Sequence, residues 1–134
     1  PERLTWADEH YTDFLQLARS GCWLQITAGA LLGTFGKRAQ MLAERLTGDG
    51  WTAVIASDAH TTQRRAPRLS QAHLRAAQLV GSDEAKRCVY DRPLAIVNNS
   101  PAGTVHPPPA MSDAGRGISP VGTLKGKLLR WIGK

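Results

Sequence analysis

Asp58-Ala59-His60 follows directly on the apolar run Trp51–Ala56 (WTAVIA), and this is where residue type and spacing first suggest chemistry. A strand's period of two points residues i and i+2 to the same side, so a carboxylate and an imidazole would converge at the strand's end. Asp is a hard oxygen ligand and His a borderline nitrogen ligand. The mixture suits manganese, iron or zinc better than calcium. Two donors do not complete a metal site, and Asp-x-His also occurs as a polar strand end that caps a following helix. Arg64, Arg65 and Arg68 come next, and arginine is the side chain best shaped for bidentate contact with phosphate. For Arg64 and Arg68 a solvated basic loop is the competing reading.

Positioning such a group calls for alternating helices and strands, and the chain reads that way from residue 1 to about residue 100. Thr5 followed by Asp8 resembles a capping box, and Tyr11, Phe14, Leu15 and Ala18 recur at helical spacing until Gly21. Cys22 to Ala28 is a β-prone segment, and the turn GALLGTFG leads into a helix with Ala39, Leu42, Ala43 and Leu46 on one face. Gly48 is expected to cap it. WTAVIA is short and rich in β-branched residues, as in a strand buried on both faces. A third helix is expected from Ser70, with Ala72, Ala76, Leu79 and Val80 inward. A fourth begins at Ser82, with Asp83 and Glu84 at its positive end, and stops at Arg92-Pro93. This order predicts parallel βα units, an α/β fold.

Residues 101–122 give up periodicity for proline, glycine and serine and are read as a linker, with His106-Pro107-Pro108-Pro109 as a semi-rigid spacer. Residues 123–134 form a short basic amphipathic segment in which Leu124, Leu128, Trp131 and Ile132 could share one side, as in membrane-surface or partner-docking helices.

The 134 residues carry a formal charge of +6 and suit one domain. From Gly103 onward five basic residues face one acid, leaving the body only weakly basic, so nucleic acid is disfavoured as a partner. No apolar run approaches the roughly 18 residues needed to span a bilayer. The chain opens on Pro1 without a signal-peptide pattern and reads as a piece of a longer one. Cys22, read inside a strand, and Cys88, read on a helix face, lack CxxC spacing, which fits a reducing cytoplasm. Neither lies in a Cys-x5-Arg phosphate loop. His10, His73 and His106 are read as surface histidines, GALLGTFG as a turn flanking the site, and Trp6, Trp23 and Trp51 as packing residues.

Gly21-Cys22 through GALLGTFGKRAQ, then VIASDAH, an Arg-x-Pro, and DRPLAIVNN occur in the order and spacing of a known family. Residues 1 to about 100 resemble the C-terminal portion of the polymerase-and-histidinol-phosphatase (PHP) superfamily. Within it they are most similar to the manganese-dependent protein-tyrosine phosphatases of bacterial capsule and exopolysaccharide loci. The opening Pro-Glu-Arg fits a His-Pro-Glu-Arg motif of that family. Thr61, where the family usually has Asn, and Arg65-Ala66-Pro67 depart from its pattern.

The resemblance implies the C-terminal part of a distorted (β/α) barrel with a flexible tail. About half of a typical barrel of about 250 residues is present. It makes Asp58 and His60 metal ligands, Arg3 and Arg65 stabilisers of the phosphate's oxygens, and Mn2+, or Fe or Zn, the cofactor. The reaction implied is metal-assisted hydrolysis of a phosphomonoester. Its substrate would be a phosphotyrosine protein, namely a bacterial tyrosine kinase regulating polysaccharide export, and a homo-oligomer is compatible with it. Two rivals stand beside this reading: a non-catalytic adaptor docking by its basic tail, and a PHP phosphoesterase acting on small phosphomonoesters or DNA ends. Parallel strands without neighbours leave edges unsatisfied, so the 134 residues alone are expected to fold poorly.

Overall fold

A computed structural model describes residue 6, residues 8–63 and residues 67–114. The fold is mixed α/β, with helices predominating around a small parallel sheet. After a 3-10 turn at Asp8–His10 comes α1 (Tyr11–Arg19), then β1 (Leu24–Thr27), the single-turn α2 (Ala28–Leu31) and α3 (Lys37–Gly48). β2 (Thr52–Ala56) follows, then α4 (Ser70–Val80), α5 (Ser82–Lys86), a π-helical turn at Arg87–Asp91, α6 (Arg92–Val97), a 3-10 turn at Ala102–Thr104 and α7 (Pro109–Ala114).

β1 and β2 pair in parallel, with Gln25 opposite Val54, Ile26 opposite Ile55 and Thr27 opposite Ala56. The pair needs a crossover, which α2 and α3 supply. The helical stripes read from the sequence point inward: Ala39, Leu42, Ala43 and Leu46 are buried, as are Phe14, Ala18, Ala72 and Ala76. With Ile26, Leu31 and Ile55 they form one core. Burying each Leu or Ile of this set contributes about 1.5–3 kcal/mol.

Several boundaries differ from expectation, each for a local reason. Gly48 is still helical, and the left-handed residue that stops α3 is Gly50, at φ 77°. The Trp51 N–H reaches the Leu46 carbonyl and the Gly50 N–H the Thr47 carbonyl, which is a Schellman closure. The β segment is shorter than Cys22–Ala28, so Cys22 lies before the strand and is exposed. Arg92-Pro93 does not end its helix. Arg92 is helical at φ −67°, ψ −46°, and the chain runs on to Val97. Proline lacks the N–H that a regular helix would require of it, and the π turn just before it spaces the backbone so that helix continues. The capping box at Thr5 lies outside the described residues.

The proline-rich stretch folds back onto the body over residues 106–114. Pro108 is fully buried, Ala110 and Met111 pack on the core, and the Ala110 N–H donates to the Gly50 carbonyl. Arg92 holds this strap. It is 1% exposed, and its Nε donates to the His106 carbonyl at 2.8 Å and its Nη2 to the Pro107 carbonyl at 2.9 Å. Its Nη1 donates to the Ala53 carbonyl at 3.1 Å and to Cys88 Sγ at 3.5 Å, and Nη2 pairs with Glu84 Oε1 at 2.7 Å. These contacts use all the N–H donors a guanidinium has. Ala53 falls at the irregularity in the β1–β2 register, where a bulge leaves a backbone group without a ladder partner. The Cys88 thiol donates to the neighbouring Thr52 carbonyl. β2 therefore does not present these two carbonyls bare, as an isolated parallel strand would.

Candidate functional site

Parallel pairing puts the ends of β1 and β2 at one edge of the sheet, with Thr27 beside Ala56. Two segments leave from that edge: residues 28–36 toward α3 and residues 57–69 toward α4. Such edges are where open α/β sheets and barrels collect their functional groups.

Asp58 and His60 converge there, with Nδ1 of the imidazole 3.9 Å from the carboxylate oxygen. Strand alternation is not the cause, because β2 ends at Ala56 and Asp58 is left-handed at φ 51°. This conformation costs an L residue about 1–2 kcal/mol, and Asp tolerates it better than most because its short polar side chain bonds locally. The turn brings the Asp58 carbonyl to 2.7 Å from His60 Nδ1. A carbonyl can only accept, so Nδ1 is the donor and neutral His60 carries its lone pair on Nε2. Metal-binding histidines are oriented in this way, the second ring nitrogen tied to a carbonyl or carboxylate. The side chains are 57% (His60) and 26% (Asp58) exposed, open enough for an incoming ligand. An imidazole nitrogen and a carboxylate are donor types that divalent metals take. Among the described residues no third His, Cys, Asp or Glu joins them in a group able to hold a metal.

Of the remaining site residues, Arg3 and Arg65 lie outside the described residues, as does Arg64. Arg68 is exposed just before α4. GALLGTFG flanks the pair's edge, and part of it is the helical turn α2 rather than an open loop. Gly29 lets the Phe35 ring pack close, since an added Cβ would meet the ring tip at 2.9 Å. Trp51 is buried, and Trp6 and Trp23 are half-buried. His73 is not a surface residue: it is half-buried, and its Nε2 is enclosed without a hydrogen bond among the described residues.

Residues 2–98 match the profile of a family described as capsular polysaccharide synthesis, CpsB/CapC. The chain belongs to the CpsB/CapC family. Neither a curated protein nor a solved structure gives a match. Membership implies involvement in capsule synthesis, and CpsB/CapC proteins are known as phosphatases. No helix among the described residues is long and apolar enough to cross a membrane.

The cluster that sequence reading missed is Glu84, Cys88 and Arg92. Glu84 was expected to serve the start of a helix, yet its side chain is 8% exposed and lies between Arg92 and Arg87. Spacing of four residues on a helix was the available signal, since it lines up two charges with a cysteine on one face. A cavity of about 240 Å³ lies beside this cluster, lined by Arg87, Asp91, Arg92, Ser100 and His106 among others. Neither Asp58 nor His60 borders it.

Proposed function

We propose that this CpsB/CapC protein contributes to a divalent-metal phosphomonoesterase, with phosphotyrosine on a bacterial tyrosine kinase as its substrate. The observation that carries the reading is the Asp58–His60 pair at the C-terminal edge of parallel strands, its imidazole locked with Nε2 available. In this proposal the parallel pair is part of a PHP-type (β/α) barrel working in the cytoplasm, and Mn2+, Fe or Zn is the metal.

Asp58 and His60 would hold the metal. A cation of this kind supplies Lewis acidity, lowering the pKa of water and offsetting phosphate charge. The Asp58 carbonyl accepts from Nδ1–H, so in the neutral imidazole Nε2 is the nitrogen that would meet a cation. Asp58 would add a carboxylate oxygen. Arg3 and Arg65 are assigned the phosphate's equatorial oxygens, because a guanidinium matches two of them at once and stays charged at any working pH.

Assay of phosphotyrosine peptide, histidinol phosphate and single-stranded DNA with manganese tests the proposal. Preferred turnover of the peptide, abolished by Asp58→Ala and by His60→Ala, is the expected result. Turnover that survives both substitutions would refute the site. A second reading, that the chain docks rather than hydrolyses, draws on the absence of a third donor among the described residues; it requires no turnover of any of the three.

A further inference from the structure

The sheet edge that carries Asp58 and His60 also carries a set of cations that nothing in the described structure neutralises. α3 starts there with Lys37 and Arg38, both exposed, and the segment entering α4 contains exposed Arg68. None of the three makes an ion pair or a side-chain hydrogen bond among the described residues. Apart from Asp58 itself, the acids of the flanking helices are committed elsewhere or missing. α4 has none, and the one acid of α3, Glu44, is occupied by Arg75 at 2.8 Å.

Both helices start from the same edge, and the Glu44–Arg75 pair ties one to the other. Lys37, Arg38 and Arg68 thus all lie where the chain enters these two helices from that edge. Two of the charges are badly placed for stability. A helix N-terminus bears partial positive charge, and a cation in the first turn forfeits about 0.3–1 kcal/mol there. No acid occupies that turn, and no side chain caps it. Asp49, at the far end of the same helix, is likewise opposed to the dipole, and its carboxylate accepts the Tyr11 hydroxyl proton. Local choices that conflict with stability mark functional surface. The approach is clear, because Gly36 at φ 91° has nothing within 4 Å of where a Cβ would be.

We propose that Lys37, Arg38 and Arg68 form a docking rim for an acidic stretch of a protein substrate, presented beside the Asp58–His60 pair. What the rim delivers rests on the phosphatase reading; that it binds acidic peptide does not. Three cations suit the few carboxylates of a short segment. Nucleic acid instead draws on a longer basic track and on aromatic stacking platforms, and the sole aromatic in the 28–38 stretch, Phe35, is half-buried against Gly29.

The test is fluorescence anisotropy with the full chain and a labelled, unphosphorylated twelve-residue peptide rich in Asp and Glu. A neutral peptide and a single-stranded oligonucleotide of equal charge are run in parallel. The acidic peptide is expected to bind best, with affinity falling as salt rises. The double variant Lys37→Glu/Arg38→Glu should weaken binding about tenfold, while Lys86→Glu on the distant α5 leaves it unchanged. Thermal melts of the variants, none of which touches the core, establish that they fold. Equal binding of neutral peptide, tighter binding of the oligonucleotide, or an unaffected double variant would each overturn the proposal. If acidic peptide binds through the rim but phosphotyrosine is not hydrolysed, the rim stands and the phosphatase reading falls.

Discussion

Asp58 combines an unfavourable backbone with a carboxylate aimed at His60. Glycine has no penalty at positive φ and asparagine little. Asp58→Gly and Asp58→Asn should therefore melt at or above the native temperature while losing manganese-dependent phosphatase activity by at least about a hundredfold. A loss of melting temperature in parallel with activity would make Asp58 structural. A second residue, Cys88, couples folding to pH. Burial pushes its thiol up from 9.0 to about 11, with the Glu84 carboxylate adding to the rise and Arg92 opposing it. The unfolded thiol ionises first as pH climbs, so the stabilisation is complete below pH 9 and is lost between pH 9 and 11, about 2–3 kcal/mol in all. Tyr11 behaves in the same sense one step higher. Burial, and then the hydrogen bond to Asp49, raise it to about 12. Denaturant titrations of the native chain and of Cys88→Ser across this range should show the first decline only in the native chain. Cys22, exposed, should react with alkylating reagents in the folded protein, and Cys88 only after unfolding.

At the scale of elements, the Arg92 cluster decides how α5, α6 and the strap sit on the sheet. Removing the guanidinium in Arg92→Met leaves buried Glu84 with Arg87 as its one remaining ion-pair partner among the described residues and bares three carbonyls. The cost should be about 3–5 kcal/mol, and limited proteolysis should cut residues 101–108 far faster. Lys in its place would not rescue the strap, because an ammonium lacks the planar fork that reaches both the strap and β2. Glu84→Leu/Arg92→Leu, which removes both charges, should recover part of the stability but not the protection of the strap. The helices themselves were readable from periodicity, since Ala39, Leu42, Ala43 and Leu46 had to share a face. The passage through Arg92-Pro93 was not. Continuation past that proline depends on a π turn, which leaves no mark in apolar spacing.

For the whole molecule, the uneven charge and the incomplete donor set lead to one further expectation. With two donors brought together among the described residues, Mn2+ should bind this chain with a Kd on the order of millimolar, as for sites with few ligands and much solvent. Calorimetric titration should show that weak binding vanish in His60→Ala. Micromolar affinity would mean that further groups of the chain complete the site. Sealing of the Thr52 and Ala53 carbonyls removes one reason to expect poor folding, and the exposed Tyr90, Leu94, Ile96 and Val97 supply another. An apolar surface of this kind favours association.

The α/β order, the inward faces of the helices, the family and the Asp58–His60 candidate could all be read along the chain. Each depends on neighbours within a turn or two, where spacing alone dictates which side chains meet. Tertiary structure alone decided the left-handed turn that joins Asp58 to His60, the fold-back of residues 106–114, and the burial of Glu84 with Arg92. Those features answer to backbone groups left without partners, such as the Ala53 carbonyl beside an irregular strand register. Which group is left over becomes known only once distant segments have packed.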